Sequence, residues 1–277
     1  MRDIKGFESD NFVSDLYAQN VKYYNEQAGE ELEFDLLSLY FGEDYKINEQ
    51  IVIHQPRIQD IINLGEKEFY SIIAPFTSNP TSLKVQLYDL GIYWSDISDF
   101  ELFSLLIKTL SFESSKIVFG DIDFSSFDLV AKQKEQNEII PVLYSQKMGF
   151  EIDNETFEKI RKYMCFMFDV KLEKEIVKSK SLAAEIIAKE RADIAKKNAE
   201  LKGTTSLIQM ISFALNHPGF KYKKDELREV GYVEFVDSIK RLQVYEATKA
   251  LTQGSYSGFC DMSKIPKEEF NFMRKVT

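Results

Sequence analysis

The clearest structural signal in the chain is Ser98-Asp99-Phe100-Glu101-Leu102-Phe103-Ser104-Leu105-Leu106. Ser98 followed three residues later by Glu101 is a capping box, in which each side chain accepts a hydrogen bond from the other residue's backbone at the start of a helix. The apolar residues that follow Ser98 cover nearly the whole circumference of a helix. The pattern therefore predicts a helix that lies near the centre of a hydrophobic core.

Apolar residues on either side of this helix recur at two different spacings. Alternation with polar residues predicts small antiparallel strand elements near residues 36–54 and 124–144, and the second of these is predicted to be a hairpin. Helical spacing dominates elsewhere, above all in the C-terminal part, where Gly254 is placed to end a long helix. We therefore expect an α+β fold that is mainly α-helical.

Charge and periodicity together divide the chain into four segments. Residues 1–50 carry four basic and twelve acidic side chains, so we predict an acidic N-terminal extension over 1–33. An α+β domain over 34–170 follows. The segment 171–203 is rich in charge and is predicted to be a connecting helix, and 204–277 is predicted to be a helical C-terminal domain.

Two of these segments allow a second interpretation. The extension 1–33 is also compatible with an acidic arm that becomes ordered on a partner. The segment 171–203 is also compatible with a basic arm on nucleic acid, although it interleaves acidic residues and lacks the aromatic residues that stack on bases. A helix-turn-helix-like stretch over 223–235 has Glu234 and Asp237 near the start of its second helix, where a recognition helix would face phosphates.

The composition argues against most kinds of catalytic or metal site. The 277 residues include only two cysteines and two histidines, and the net charge is −10. Structural zinc sites usually need four Cys or His ligands at short spacings, which this sequence lacks. So few cysteines and imidazoles also argue against Ser-His-Asp or Cys-His catalysis. The acidic balance makes nucleic acid an improbable partner, and no apolar run is long enough to span a membrane. We expect no catalytic, metal-binding or cofactor-binding residues, no cofactor, no enzymatic activity and no membrane association.

Four individual residues or motifs were weighed as exceptions. Cys165 lies in an apolar run and is expected to be a buried small hydrophobic residue. His54 ends a strand-like run, and His217 is expected in the last turn of a helix, where it complements the helix dipole. Asp121-Ile122-Asp123 resembles the start of a calcium loop, but the glycine and the glutamate that such a loop needs are absent.

Nine of the last sixty residues of the chain are aromatic. Most are expected to pack in a core, but an excess over what a core holds would form an interaction surface, because aromatic side chains dominate interface energetics. The candidate protein-binding residues are Phe220, Tyr222, Tyr232, Phe235, Tyr256 and Phe259.

Three stretches carry a resemblance to a known family. They are Tyr45–Asn48 through Ile58–Glu66, then Ser98–Phe103, and finally Gly219–Tyr222 through Tyr256–Phe259. In this arrangement the chain resembles tail-morphogenesis proteins of long-tailed, siphovirus-type phages and prophages of Gram-positive bacteria, and in particular their tail-assembly chaperones. The shared motifs are packing and turn patterns, so no catalytic or binding residue is carried over.

The resemblance implies a non-enzymatic phage morphogenesis protein that binds other phage proteins. A tail-assembly chaperone would coat the tape-measure protein in the host bacterial cytoplasm, and self-association is compatible with that role. The alternative is a structural virion component of the neck or tail, which would be found in the virion. A third possibility is a DNA-acting accessory factor, whose binding would depend steeply on salt concentration.

Overall fold

The computed structural model describes residues 34–133, 139–175, 180–200, 206–257 and 264–274. The predicted acidic extension over 1–33 lies outside the described residues. From Ser38 onward the described chain belongs to one compact unit. The four-segment division of the chain stays a prediction.

Helices occupy most of the described chain. In chain order they are α1 (Leu36–Tyr40), α2 (Ile58–Leu64), α3 (Glu66–Thr77), α4 (Lys84–Asp89), α5 (Asp99–Leu106), α6 (Phe112–Phe119), α7 (Asn154–Met167), α8 (Lys180–Glu200), α9 (Ser206–Asn216), α10 (Lys224–Leu227) and α11 (Tyr232–Tyr256). Short 3-10 turns cover Ile107–Thr109, Phe124–Ser126 and Lys267–Phe270.

Two small antiparallel sheets complete the fold. The first pairs β1 (Tyr45–Lys46) with β2 (Val52–Ile53). The second has the order β3 (Asp128–Gln133), β4 (Ile139–Ser145) and β5 (Phe150–Ile152). These elements confirm the predicted α+β, mainly helical fold with strand elements in both expected regions.

The strand boundaries differ from the prediction at three places. Leu36–Tyr40 is helical, because the Asp35 carboxylate accepts the backbone N–H of Leu37 at 3.2 Å and so caps a helical turn. Phe124–Ser126 forms a 3-10 turn ahead of the hairpin. β5 was not predicted. Its three residues are too short for period-two alternation to identify, and its pairing with β4 is a tertiary contact.

The predicted capping box forms at the start of α5. The backbone N–H of Glu101 donates to Ser98 Oγ at 3.2 Å, and the backbone N–H of Ser98 donates to Glu101 Oε2 at 2.8 Å. Phe100, Leu102 and Phe103 on this helix are buried, whereas Leu105 is exposed. The helix thus faces the core with one broad side rather than with its whole circumference.

The core is centred on four phenylalanine rings from different elements. Phe76 of α3 contacts Phe103 of α5, Phe119 of α6 and Phe124, with ring centroids 5.2, 4.4 and 5.0 Å apart. All four side chains are fully or almost fully buried. They connect helices α3, α5 and α6 to the 3-10 turn that precedes β3.

The segment predicted as a charged connecting helix over 171–203 is helical only from Lys180 among its described residues. Residues 171–175 have no regular secondary structure, and three side chains hydrogen-bond to their backbone. Asn79 Nδ2 donates to the Glu173 carbonyl at 2.7 Å, Trp94 Nε1 donates to the Glu175 carbonyl at 3.1 Å, and Thr81 Oγ1 accepts the Glu175 N–H at 3.0 Å.

The first half of α8 also has a buried side, which the sequence reading did not predict. Ala183 and Ile187 are buried against a cluster that includes Leu87, Trp94 and Leu102. At the side of this cluster, Lys84 Nζ forms an ion pair with Glu190 Oε2 at 2.9 Å. The apolar stripe of α8 is therefore narrow but packed, and only the remaining faces of the helix are charged and solvated.

Candidate protein-binding surface

Two of the six candidate aromatic residues lie in the core. Tyr232 and Phe235 are buried, and the Tyr232 ring lies 5.8 Å from Phe69 and 5.1 Å from Phe168 between ring centroids. With Ile239 they form the i, i+3, i+7 stripe that α11 turns toward the interior. Burial raises the pKa of Tyr232. The binding role predicted for these two residues does not fit their position, because their side chains do not reach the surface.

Two other candidates are separated from the rest. Tyr256 is 87% exposed at the last turn of α11. It lies about 33 Å along the helix axis from Glu234, at about 1.5 Å per residue. Phe259 lies outside the described residues. Tyr256 therefore does not share a surface with the candidates that precede α11.

Phe220 and Tyr222 are half-buried and lie side by side just before α10. Their rings meet edge to face with centroids 5.8 Å apart. The Tyr222 hydroxyl donates a hydrogen bond to Glu234 Oε1 in the first turn of α11. Lys221 Nζ donates to the same oxygen at 3.0 Å. The first turn of α11 thus holds this loop in place through a single carboxylate.

The Glu234 carboxylate is the electrostatic centre of this surface. Burial alone would raise the pKa of Glu234, but the hydrogen bond from Tyr222 and the hydrogen bond and charge of Lys221 outweigh burial and lower it. The carboxylate is therefore ionised at neutral pH. It also has a favourable position in the first turn of α11, because the N-terminal end of a helix carries a partial positive charge.

Two further aromatic residues from the start of the chain join this surface. Tyr40 and Phe41 follow each other at the end of α1, with ring centroids 5.7 Å apart, and Phe41 is 75% exposed. Burial raises the pKa of Tyr40, and so does the nearby carboxylate of Asp237, while the charge of Lys221 opposes them. Tyr40 follows Leu39, whose carbonyl Gln55 connects to the first turn of α11. We call Tyr40, Phe41, Phe220 and Tyr222 the aromatic patch.

Gln55 connects the two halves of the aromatic patch. Its Nε2 donates to the Leu39 carbonyl at 2.6 Å, and its Oε1 accepts the backbone N–H of Val233 at 3.3 Å. The backbone N–H of Tyr232 also donates to the Pro56 carbonyl at 2.9 Å. Gly231 immediately precedes α11, and a Cβ at this position would lie 2.3 Å from Gln55 Oε1. A glycine at 231 thus gives Gln55 the room to hold α1 next to α11.

We expect Gly231→Ala to lower the free energy of unfolding by about 1–3 kcal/mol. The added methyl group takes the place of Gln55 Oε1. The Gln55 side chain must therefore move and give up its hydrogen bonds to Leu39 and Val233. Urea unfolding of the wild-type and variant proteins measures the loss.

Gln55→Ala is the matched background for this test, because it removes the clashing atoms. In that background Gly231→Ala should cost no more than about 0.5 kcal/mol. The φ angle of Gly231 is −65°, which alanine adopts without strain. An equal cost in both backgrounds would show that Gln55 is not the cause.

His54, His217 and Asp123, which are candidates for chemistry in the sequence, each have a structural partner. His54 Nδ1 lies 2.7 Å from Asp44 Oδ1. His217 follows the last residue of α9, and its Nδ1 accepts the Gly219 N–H at 3.0 Å. The side chain of Asp123 lies 2.7 Å from Lys147 Nζ, and it also accepts the Ser125 hydroxyl at 2.6 Å.

The Cys165 thiol is half-buried on α7. Burial raises the pKa of Cys165 to about 11, so its thiol is protonated at neutral pH. Within the described residues, no three His, Cys, Asp or Glu side chains lie close enough together to hold a metal ion. In the same part of the chain, no helix is both long and apolar enough to cross a membrane.

Comparisons with protein-family models, with curated proteins and with solved structures find no match to this chain. The function is therefore inferred from the surface of the molecule. Its most distinctive feature in the described chain is the aromatic patch. One of its edge-to-face pairs is bonded to Glu234 in the first turn of α11, and the other follows Leu39, which Gln55 links to the same turn.

Proposed function

We propose that this chain is a non-enzymatic protein that binds another protein through the aromatic patch. The observation that carries the proposal is the exposed ring of Phe41, which meets Tyr40 edge to face. Burying such a ring against a partner removes its apolar surface from water. Aromatic side chains held in place beforehand lose little conformational entropy on binding and often supply most of the binding energy.

The partner that fits this surface presents an apolar face with polar edges. The aromatic rings would form the centre of the interface, and Lys221, Glu234 and Asp237 would lie at its rim. An apolar centre inside a charged rim is the usual arrangement of protein interfaces. A long amphipathic helix offers both features at once.

The specific role we propose is that of a phage tail-assembly chaperone that binds the tape-measure protein in the host cytoplasm. The support is the resemblance described above, together with its overlap with the surface. The segment Gly219–Tyr222 carries part of the resemblance and also supplies two of the four rings of the aromatic patch. The net charge of −10 opposes the DNA-binding alternative.

Mass spectrometry of purified virions and of lysates from induced host cells distinguishes the two phage roles. A chaperone is abundant in the lysate and absent from virions. A stable signal in virions would exclude the chaperone role and favour the alternative, a structural component of the neck or tail.

We expect Phe41→Ser to weaken binding to purified tape-measure protein by at least about tenfold, the usual loss at a central aromatic contact. Titration calorimetry with the full chain measures the change. Leu90→Ser is the control. Leu90 is as exposed as Phe41, 74% against 75%, but it lies at the C-terminal end of α4, outside the aromatic patch. Equal affinities for wild type and Phe41→Ser would contradict the proposed role of the patch, even if the two proteins bind.

A further inference from the structure

The three-stranded sheet has an open edge at β3. The strand order is β3-β4-β5, and among the described strands only β4 pairs with β3. All six residues of β3 are exposed. An edge strand presents backbone N–H and C=O groups that can pair with another strand. We call the outer side of Asp128–Lys132 the β3 edge.

The outer half of this hairpin has little support from its own sheet. β5 pairs only with Leu143, Tyr144 and Ser145, so the β4 residues before Leu143 have β3 as their only strand partner in the described sheet. Two-stranded antiparallel ladders are marginally stable in water. Apolar side chains nevertheless stand exposed on this half, namely Val130 and Ile139. A further strand at the β3 edge would stabilise it.

Backbone geometry limits how a second β3 can pair with the first. In an antiparallel ladder, successive residues direct their hydrogen-bonding groups alternately to one neighbouring strand and to the other. A symmetric antiparallel pair must therefore be centred on a residue and not between two residues. Within β3 this leaves two registers of five residues, one centred on Val130 and the other on Ala131.

The side chains distinguish these two registers. Centring on Val130 sets Asp128 opposite Lys132 of the second copy, and the symmetry repeats this pair at the other end. Leu129 then faces Ala131 across the same ladder. Centring on Ala131 instead sets Lys132 opposite Val130. Opposite charges directly across a ladder stabilise it, so the register centred on Val130 is favoured.

We propose that two copies of this chain associate through the β3 edge in the antiparallel register centred on Val130. The association joins the two three-stranded sheets into one continuous sheet. The contact is isologous, because the same surface serves in both copies. It does not involve the aromatic patch, so its test is independent of the test of the proposed function.

The two charges of the β3 edge also have partners within the chain. Lys108 Nζ lies 2.7 Å from Asp128 Oδ1, and Lys132 Nζ donates to Glu151. Exposed ion pairs of this kind hold their side chains only weakly. In the dimer Asp128 and Lys132 of opposite copies exchange these weak partners within the chain for each other.

Charge reversal in the full chain, followed by sedimentation velocity, tests the proposal. Asp128→Lys and Lys132→Asp each place like charges opposite one another at both ends of the contact. Each should raise the dimer dissociation constant by at least about tenfold. The double variant Asp128→Lys/Lys132→Asp restores opposite charges and should recover the dimer. Far-UV circular dichroism and thermal unfolding verify that each monomer is folded.

Cysteine cross-linking tests the register. In a background with Cys165→Ala and Cys260→Ala, Val130→Cys should form a disulfide between copies under mild oxidation. Residues directly opposed in an antiparallel ladder have Cα atoms within the range that a disulfide needs. Ala131→Cys should cross-link much less. A protein that is monomeric at all concentrations, a dimer insensitive to the charge variants, or preferential cross-linking at 131 would each overturn the proposal.

Discussion

Phe76→Ala lowers the free energy of unfolding by about 3–5 kcal/mol, the largest effect we expect from a single substitution in this chain. The Phe76 side chain is fully buried, and its ring contacts Phe103, Phe119 and Phe124. Removing it loses the transfer free energy of the ring and leaves a cavity among three rigid neighbours. A loss of this size is a large part of the roughly 5–15 kcal/mol that stabilises a typical domain.

Chemical denaturation followed by tryptophan fluorescence measures this loss, since the single tryptophan, Trp94, is buried. The matched control is Phe166→Ala on α7. It removes the same type of side chain at a position where that side chain is 38% exposed. We expect the control to cost no more than about 1 kcal/mol. Similar costs at both positions would show that the four-ring cluster does not dominate the core.

Short-range signals were sufficient to predict the local elements. The capping box of Ser98 and Glu101 forms as expected, because both of its hydrogen bonds lie within one helical turn. The hairpin was also predicted, and its register sets Leu129 opposite Leu143. The burial of Tyr232 and Phe235 was within reach of the same reasoning, since helical spacing from Ile239 places all three on one face.

Contacts between distant segments decided the features that sequence patterns missed. Residues 171–175 are not helical, and Asn79 and Trp94 supply partners for their backbone, although neither residue has a local signal for that role. The end of α1, which carries Tyr40 and Phe41, is linked to the start of α11 through Gln55, which lies in a different part of the chain from both. No local periodicity carries this information, so the aromatic patch was found only in part.

The second large effect is expected for Arg161→Met, at about 2–3 kcal/mol of unfolding free energy. Arg161 of α7 bonds Asp99 Oδ2 at 2.5 Å and Glu158 Oε2 at 2.6 Å. The side chains of Arg161 and Asp99 are only 12% and 14% exposed. Methionine keeps most of the packing volume but leaves the Asp99 carboxylate with Lys174 alone, at 3.2 Å and largely in solvent.

The pH dependence separates charge from packing in this prediction. Burial alone would raise the pKa of Asp99, but Arg161 and Lys174 outweigh burial and lower it below its ordinary 3.8. A lowered folded-state pKa contributes stability above the unfolded value, and that stability is lost as the pH falls through the folded value. The difference in unfolding free energy between wild type and Arg161→Met should therefore be largest near neutral pH and should become smaller below about pH 4.

A second substitution tests whether the unpaired carboxylate causes the loss. Asp99→Asn in the Arg161→Met background removes the buried negative charge and should recover part of the lost stability. The same change in the wild-type background should destabilise, because Arg161 then loses one of its two charged partners and keeps only Glu158. If the cost of Arg161→Met were the same from about pH 7 to about pH 3, the guanidinium would be acting through its stacking on Phe157, 5.2 Å from the ring centroid, and not through its charge. The ion pair would then not be what holds the start of α5 against α7.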